Sequence, residues 1–332
     1  MTKKTLSAFL LTAVVAQNIF LSSCSTDVDL LEEYKPITVV YGLLNKNEGI
    51  QYIKVNKAFL GEGNALIMAQ QSDSSNYQPG DIDVYLQKSG DPNLIQCFDT
   101  TGIPKDDGIF SNDYQLLFYT NTTLDPGGTY NLIINRHTDG VAITASTPIV
   151  KDLTIQQPSS PTAQLSLATT ASYFIRWQSG ANGKVFNVVF RFPYTEYTLS
   201  PADTQSKYVD WNLGNVVAAG ANGNESMSLE IEGENLFKFL SSTIPYDANR
   251  IRAFSDTDKV ELIFSAGAED FYTYIQVNEP SIGLIQEKPV FTNISNGVGI
   301  FSSRWKKSYF NRLNPATRDS LRNGRFTGNR FN

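Results

Sequence analysis

The chain has 332 residues, a net charge of −6 and a hydrophobic share of 41%, enough for two cores at the commonest domain size of about 100–150 residues. Charged residues make up 18% and aromatics 12%, against about 25% charged in ordinary domains. With Tyr and Phe leading the aromatics, the balance favours pleated, half-buried β surfaces over a helical enzyme, and the acidic body argues against nucleic acid as a partner.

Residues 1–23 have the order of a bacterial export signal: Lys3 and Lys4, an apolar run from Leu6 to Leu21, then small residues. The run is shorter than the ~20 residues a spanning helix needs. Leu21-Ser22-Ser23 directly before Cys24 makes the segment a lipoprotein signal, with Cys24 as the acylated first residue of the mature chain. Residues 24–35 carry Asp27, Asp29, Glu32 and Glu33 and read as an acidic tether.

Residues 36–150 alternate as strands and predict one β-sandwich. Ile37–Tyr41, Tyr52–Val55, Asp81–Leu86 and Tyr114–Tyr119 are its clearest strands. Leu124-Asp125-Pro126-Gly127-Gly128-Thr129-Tyr130 predicts a tight corner whose tyrosine hydroxyl bonds back to the chain, as in immunoglobulin-like sandwiches. A hairpin is expected over His137-Thr138-Asp139-Gly140.

Residues 151–161, with Gln156-Gln157-Pro158-Ser159-Ser160-Pro161, read as a linker. Residues 162–305 predict a second, sandwich-like domain. Trp177 on the strand Tyr173–Trp177, facing the long strand Val185–Phe192, is similar to the pattern of fibronectin type III modules. A short helix is expected at 233–241, and strands at Val260–Ser265 and Phe271–Val277, the latter with a helical alternative. Residues 306–332 read as a basic helix and fraying tail, with Asn314 as N-cap and Pro315 at N1. The fold class is therefore mostly β: two immunoglobulin- or fibronectin-III-like sandwiches with a few short helices.

Catalytic constellations are sparse. The only histidine, His137, precedes a hairpin turn, and no Gly-x-Ser-x-Gly elbow exists for acyl transfer. One histidine also leaves catalytic zinc without its usual ligands. Asp210 beside Trp211, and Glu230 with Glu232, are the carboxylates weighed for glycoside hydrolysis. Asp81/Asp83 and Asp256/Asp258 are too short to specify calcium. Gly61-Glu62-Gly63 lacks a P-loop lysine. Neither metal nor cofactor is called for. Cys97 alternates within a strand and reads as a small buried hydrophobe; with Cys24 lipidated it has no disulfide partner.

Binding is the better category. Tyr194, Tyr197, Tyr208 and Trp211 flank a stretch read as irregular and form a candidate ligand platform. Arg304, Lys306, Lys307 and Arg312 open the basic segment and are candidates for docking.

The lipobox, the two sandwich-like halves and the closing run Thr292-Asn293-Ile294-Ser295-Asn296-Gly297-Val298-Gly299-Ile300-Phe301 together resemble a family of Bacteroidetes outer-membrane lipoproteins that carry a domain of unknown function. Its members show a closing Thr-Asn-Ile-x-x-Gly-x-Gly-x-Phe pattern, and their genes often lie beside TonB-dependent receptors. The resemblance implies a non-catalytic accessory of such a receptor, lipid-anchored in the outer membrane, with the periplasmic side and the cell surface as the two alternatives for its location. The alternatives weighed are a structural or adhesive surface sandwich and a carboxylate-based glycoside hydrolase.

Overall fold

The alternating segments of the sequence pair as antiparallel strands, but the sheet they build does not stop where the two halves meet. The structure is a computed structural model and describes residues 37–58, 67, 69–106, 108, 115–198, 203–255, 257–279, 290–328 and 330–331.

In the N-terminal half, β1 (Thr38–Leu44), β2 (Gln51–Lys57), β3 (Ile82–Lys88), β4 (Leu94–Thr100), β5 (Leu117–Thr120), β6 (Thr129–Arg136) and β7 (Ala142–Pro148) lie in the spatial order β1-β2-β5-β4-β3-β6-β7. A four-residue helical turn, α1 (Ser72–Ser75), sits between β2 and β3. Period-2 alternation sends Val40, Leu44, Ile53, Val55, Val84, Leu86, Leu132 and Ile134 into one core. The expected corner is present: the Tyr130 hydroxyl accepts the Asp125 amide at 2.9 Å. At the far edge, Thr144 of β7 pairs with Ser295, so the strands roll round their core and return to the closing run of the chain.

In the C-terminal half, β10 (Ser172–Gln178), β13 (Ser226–Glu232) and β8 (Thr154–Gln157) form a three-stranded sheet in the order β13-β10-β8. It packs over β11 (Val185–Tyr197), β12 (Gln205–Val217) and β15 (Lys259–Gly267), which belong to the large sheet. Trp177 is fully buried between Phe186 and Phe264, at ring-centroid distances of 6.1 and 5.9 Å. Two short strands, β9 (Gln164–Leu165) and β14 (Ile251–Ala253), extend this sheet. The helix expected at 233–241 is α2 (Gly233–Thr243), which buries Leu236, Phe237 and Leu240.

One strand joins the halves. β16 (Gly297–Leu313) runs parallel to β1 over Gly297–Ser303 and antiparallel to β15 over Arg304–Arg312. The domain boundary expected at 305 therefore falls inside a continuous strand, and the large sheet runs β12-β11-β15-β16-β1-β2-β5-β4-β3-β6-β7. Phe301 buries into the first core and Trp305 into the second. Around this change of partner, the Trp305 indole donates to Asp152 at 2.7 Å, and the Ser303 hydroxyl donates to the Pro148 carbonyl at 2.6 Å.

The closing run explains itself at this seam. The Asn293 side chain acts as a substitute strand. It donates to the Phe301 carbonyl at 2.7 Å and accepts the Phe301 amide at 3.0 Å. Ile294 is buried in the first core, and Asn296 makes the turn at φ 58°. Gly299 holds φ +113°, and a Cβ there would lie 2.1 Å from the Val40 carbonyl oxygen. At Gly297 a Cβ would lie 2.8 Å from the Thr38 carbonyl oxygen. Both glycines are there because β1 passes too close for a side chain.

Four expectations are corrected. Residues 151–161 are not a free linker: Leu153 is buried and Ile155 packs on the second core, which fixes Thr154–Gln157 as β8 beside β10. Phe271–Val277 is not a strand but the middle of α3 (Glu269–Asn278), whose first turn carries Glu269 and Asp270 where the helix dipole favours acids. Residues 306–313 are strand rather than helix, because Tyr309 and Leu313 alternate onto the second core. The C-terminal residues do not fray: Phe331 is buried edge-on against Phe192 and Tyr194. The Asn314 cap is as expected: α4 (Pro315–Asn323) starts with Asn314 accepting the Thr317 amide at 2.8 Å.

Gly299→Ala is expected to lower unfolding stability by about 3 kcal/mol or more, through strain and the clash with β1. Asn293→Ala is expected to cost about 2 kcal/mol by leaving both Phe301 backbone groups without their partner. Gly49→Ala, with open space around it, is the control and should change little. Urea unfolding of the three variants measures this, and equal midpoints for Gly299→Ala and Gly49→Ala would refute the account of the seam.

Candidate functional site

The residues singled out from the sequence do not form one platform. The stretch read as irregular is bordered by two long paired strands, β11 and β12, and their alternation splits the four aromatics between faces. Tyr194 and Trp211 point into the second core. Tyr194 stacks near Phe192, and Trp211 lies on Phe239 at 5.7 Å and 16°. Tyr208 is on the other face, 59% exposed, with the Arg191 guanidinium 4.1 Å from its ring centroid. Tyr197 is on that outer face too, at the end of β11 opposite Ile251. Cys24 and Leu21, Ser22 and Ser23 lie outside the described residues, as do Gly61 to Gly63.

The basic residues are strand residues, not a tail. Arg304 pairs with Glu48 at 3.0 Å, while Lys306 and Arg312 are exposed on β16. The Lys307 ammonium sits 5.6 Å from the Tyr309 ring centroid.

The candidate catalytic groups are held in structural contacts. The His137 ring bonds the Gly80 carbonyl at 2.8 Å and Asp83 at 2.9 Å. The hydrogen bond that the ring donates to Asp83 pushes its pKa above the ordinary histidine range. Asp210 takes a bidentate grip from Arg191 at 2.7 and 2.8 Å, which holds its carboxyl below the usual carboxylate range. It faces away from Glu230 and Glu232, which line a separate groove of about 320 Å³ beside Trp211, Asn212 and Asn235. Among the described residues no group of three or more His, Cys, Asp or Glu is placed to hold a metal ion.

A different set of aromatics does come together, and the sequence reading missed it. On the outer face of the N-terminal sheet the pairing register sets Tyr52 opposite Tyr119, and Tyr119 opposite Phe98. The ring centroids are 6.4 and 6.2 Å apart, tilted by 42° and 48°. Tyr41 continues the row on β1, and Tyr41, Tyr52 and Phe98 are 44, 40 and 54% exposed. Among the described residues, the helix that crosses this face is α3, at its β1 end. There Tyr41, Tyr52, Phe271, Tyr274, Glu48 and Arg304 line a groove of about 350 Å³. Burial, then a hydrogen bond with Tyr41, pushes the Tyr274 phenol up.

The polar rim of this face is cationic. Lys54 lies opposite Tyr41 in register, and its ammonium donates to the Gln115 amide oxygen at 3.4 Å. Burial, then the charge of Lys105, holds that ammonium below the ordinary lysine range. The signal that finds this face is the break in alternation. Outward positions of a half-exposed strand are expected to be polar, and here four strands each put an aromatic there.

Two further electrostatic features shape the body. Glu196, at the end of β11, is buried with Arg252 at 2.7 Å and also meets Lys207. Burial pushes its carboxyl up, but Lys207 and Arg252 more than reverse this and leave it below the usual range. Cys97 is buried opposite Val84, and burial pushes its thiol up to about 12.

Two outcomes follow. Glu196→Gln should destabilise the fold by about 3 kcal/mol near neutral pH, because it leaves the buried Arg252 guanidinium uncompensated. A depressed carboxyl contributes its full stability above the unfolded pKa and loses it as pH falls through the folded value. The wild-type advantage should therefore shrink below about pH 4; a difference that stays constant from pH 7 to 3 would contradict this assignment. Cys97 should remain unreactive to a thiol reagent at pH 8 until the protein is unfolded; rapid native labelling would show the strand to be open.

No family model matches the chain, and no curated protein matches it. Among solved structures it is similar to the C-terminal globular domain of an oligosaccharyltransferase from Pyrococcus abyssi, at 9% identity and a TM-score of 0.27. That likeness covers 90% of this chain and 57% of the other. It is also similar to titin A168–A169, at 11% identity and a TM-score of 0.18, covering 85% of this chain and 98% of the other. Neither likeness is close enough to carry an activity across. No helix among the described residues is long and apolar enough to cross a membrane.

Proposed function

We propose that the protein is a lipid-anchored protein of the cell envelope that binds or docks through its aromatic face, as an accessory of an outer-membrane uptake system of the TonB-dependent type. The anchor rests on the order Lys3-Lys4, apolar run, Leu21-Ser22-Ser23-Cys24. The uptake role rests on the family resemblance of the closing run. The single observation that carries the binding half is the row Tyr41, Tyr52, Tyr119 and Phe98, in which Tyr41, Tyr52 and Phe98 are exposed where a sheet normally places polar side chains. The role is binding rather than chemistry, since His137 and Asp210 are engaged in structural contacts.

Labelling of growing cells with radioactive palmitate tests the anchor. Wild-type protein should take up label and fractionate with the outer membrane, and Cys24→Ala should do neither. Label retained by Cys24→Ala would overturn the anchor. Crosslinking followed by purification tests the docking: an outer-membrane receptor should accompany wild-type protein and be lost with Tyr52→Ala/Tyr119→Ala. Equal recovery with both would place docking elsewhere.

A further inference from the structure

We infer that the aromatic face of β1, β2, β5 and β4 takes a carboxylated oligosaccharide, its sugar rings lying on Tyr52, Tyr119 and Phe98 and its carboxylate on Lys54. The inference rests on the reading of this face as the binding surface, but not on the lipid anchor or on any transporter.

The first argument is the kind of surface. Each of these strands is paired on both sides: β1 with β16 and β2, β2 with β1 and β5, β5 with β2 and β4, and β4 with β5 and β3. At Tyr41, Lys54 and Tyr119 the backbone is paired on both sides, so a peptide finds no ladder to extend beside them. A ligand here is recognised by ring faces and side-chain tips alone. A pyranose offers one apolar C–H face to an aromatic ring and a rim of hydroxyls to polar side chains, which suits this arrangement. Gln96 shares the outward side of β4 with Phe98, and Gln115 stands beside Lys54. The Gln96 amide can donate to and accept from hydroxyls, while the Gln115 nitrogen is taken up by the Ile103 and Pro104 carbonyls and its oxygen can accept one further hydrogen bond.

The second argument is charge. The Arg304 guanidinium at the groove end is matched by Glu48. Lys54, in the middle of the face, has an amide oxygen at 3.4 Å as its hydrogen-bond partner, and no carboxylate among the described residues pairs with it. Its charge is half-buried and feels the like charge of Lys105. An unanswered ammonium between exposed rings selects an anionic group on a ligand that also has an apolar face. A carboxylated sugar carries both in one unit. A neutral glycan leaves Lys54 unmatched, and a simple polyanion leaves the rings in water.

Titration calorimetry on the full-length protein in detergent tests this, with hexagalacturonate as probe, a neutral hexasaccharide as its counterpart and polyglutamate as a plain polyanion. Hexagalacturonate should bind about tenfold or more tighter than either, one charge-assisted hydrogen bond or one ring contact being worth about that factor. Tyr119→Ala and Lys54→Gln should each weaken it about tenfold, while Tyr208→Ala on the distant outer face of β12 should leave it unchanged. Circular dichroism of each variant separates loss of binding from loss of fold. Lys54→Gln is the milder change and keeps the test open if Tyr119→Ala fails to fold. Equal binding of the neutral hexasaccharide or of polyglutamate would overturn the inference, as would no binding of hexagalacturonate by folded wild-type protein. So would self-association in sedimentation that Tyr119→Ala abolishes, since the face would then be covered by a second copy. Because binding is read in detergent solution, a protein that fails to anchor in cells still gives a clear answer here.

Discussion

The pairing of β16 with two different strands is the constraint on which the rest of the molecule depends. A single extended segment completes the N-terminal sheet through β1 and the C-terminal sheet through β15. Neither core closes without it, because Phe301 belongs to one and Trp305 to the other. The sequence distance is large: Asn47 bonds the Lys306 carbonyl across 259 positions. Such contacts cost loop-closure entropy before they return any burial. The N-terminal half, although it reads as a sandwich in its own right, therefore waits for the chain's last strand.

This gives the closing run a physical meaning distinct from ligand binding. Asn293 substitutes for a strand neighbour of Phe301, Ile294 and Phe301 fill the core, and Gly297 and Gly299 let β1 pass. Asn293, Ile294, Gly297, Gly299 and Phe301 are each spoken for by the seam. In this chain the seam also sets the geometry of the outer face. Tyr41 lies opposite Ile300, and Arg304 stands where β16 changes partner. The rings are carried on strands locked on both sides, and a site built on such elements is held more closely than one built on loops.

What could be read from the residues divides along the same line. Features with local causes were legible: the alternating strands, the Tyr130 corner, buried Trp177 and the Asn314 cap. Each needs only neighbours a few residues away. Period-2 alternation says which residues share a face of one strand, but not which face is covered or what lies beside it. So Tyr194 and Trp211, read as a platform with Tyr197 and Tyr208, turned out to be core. Meanwhile Tyr41, Tyr52, Phe98 and Tyr119, spread over four strands, fall into line only through the register. The segment Phe271–Val277 has β-forming side chains, yet it follows the end of β15 at Gly267 and lies over β16 as a helix. There tertiary packing overrode propensity.

The geometry also bears on how strong the face needs to be. Rings on an open sheet bury little of a ligand, and an isolated site of this kind binds weakly, since association entropy is paid in full. With the proposed anchor, the segment from Cys24 to Ile37 reaches at most about 45 Å when fully extended. It enters β1 directly, and Tyr41 lies a short way along that strand. The binding face is thus rooted at the tether rather than at its far side, and a membrane-bound partner meets it at an effective concentration in the millimolar range. Under that condition a shallow aromatic face with one unanswered cation is sufficient, and fast release is an advantage for handing a ligand on. In the proposed uptake role, a deep pocket would hold what the protein has to give up.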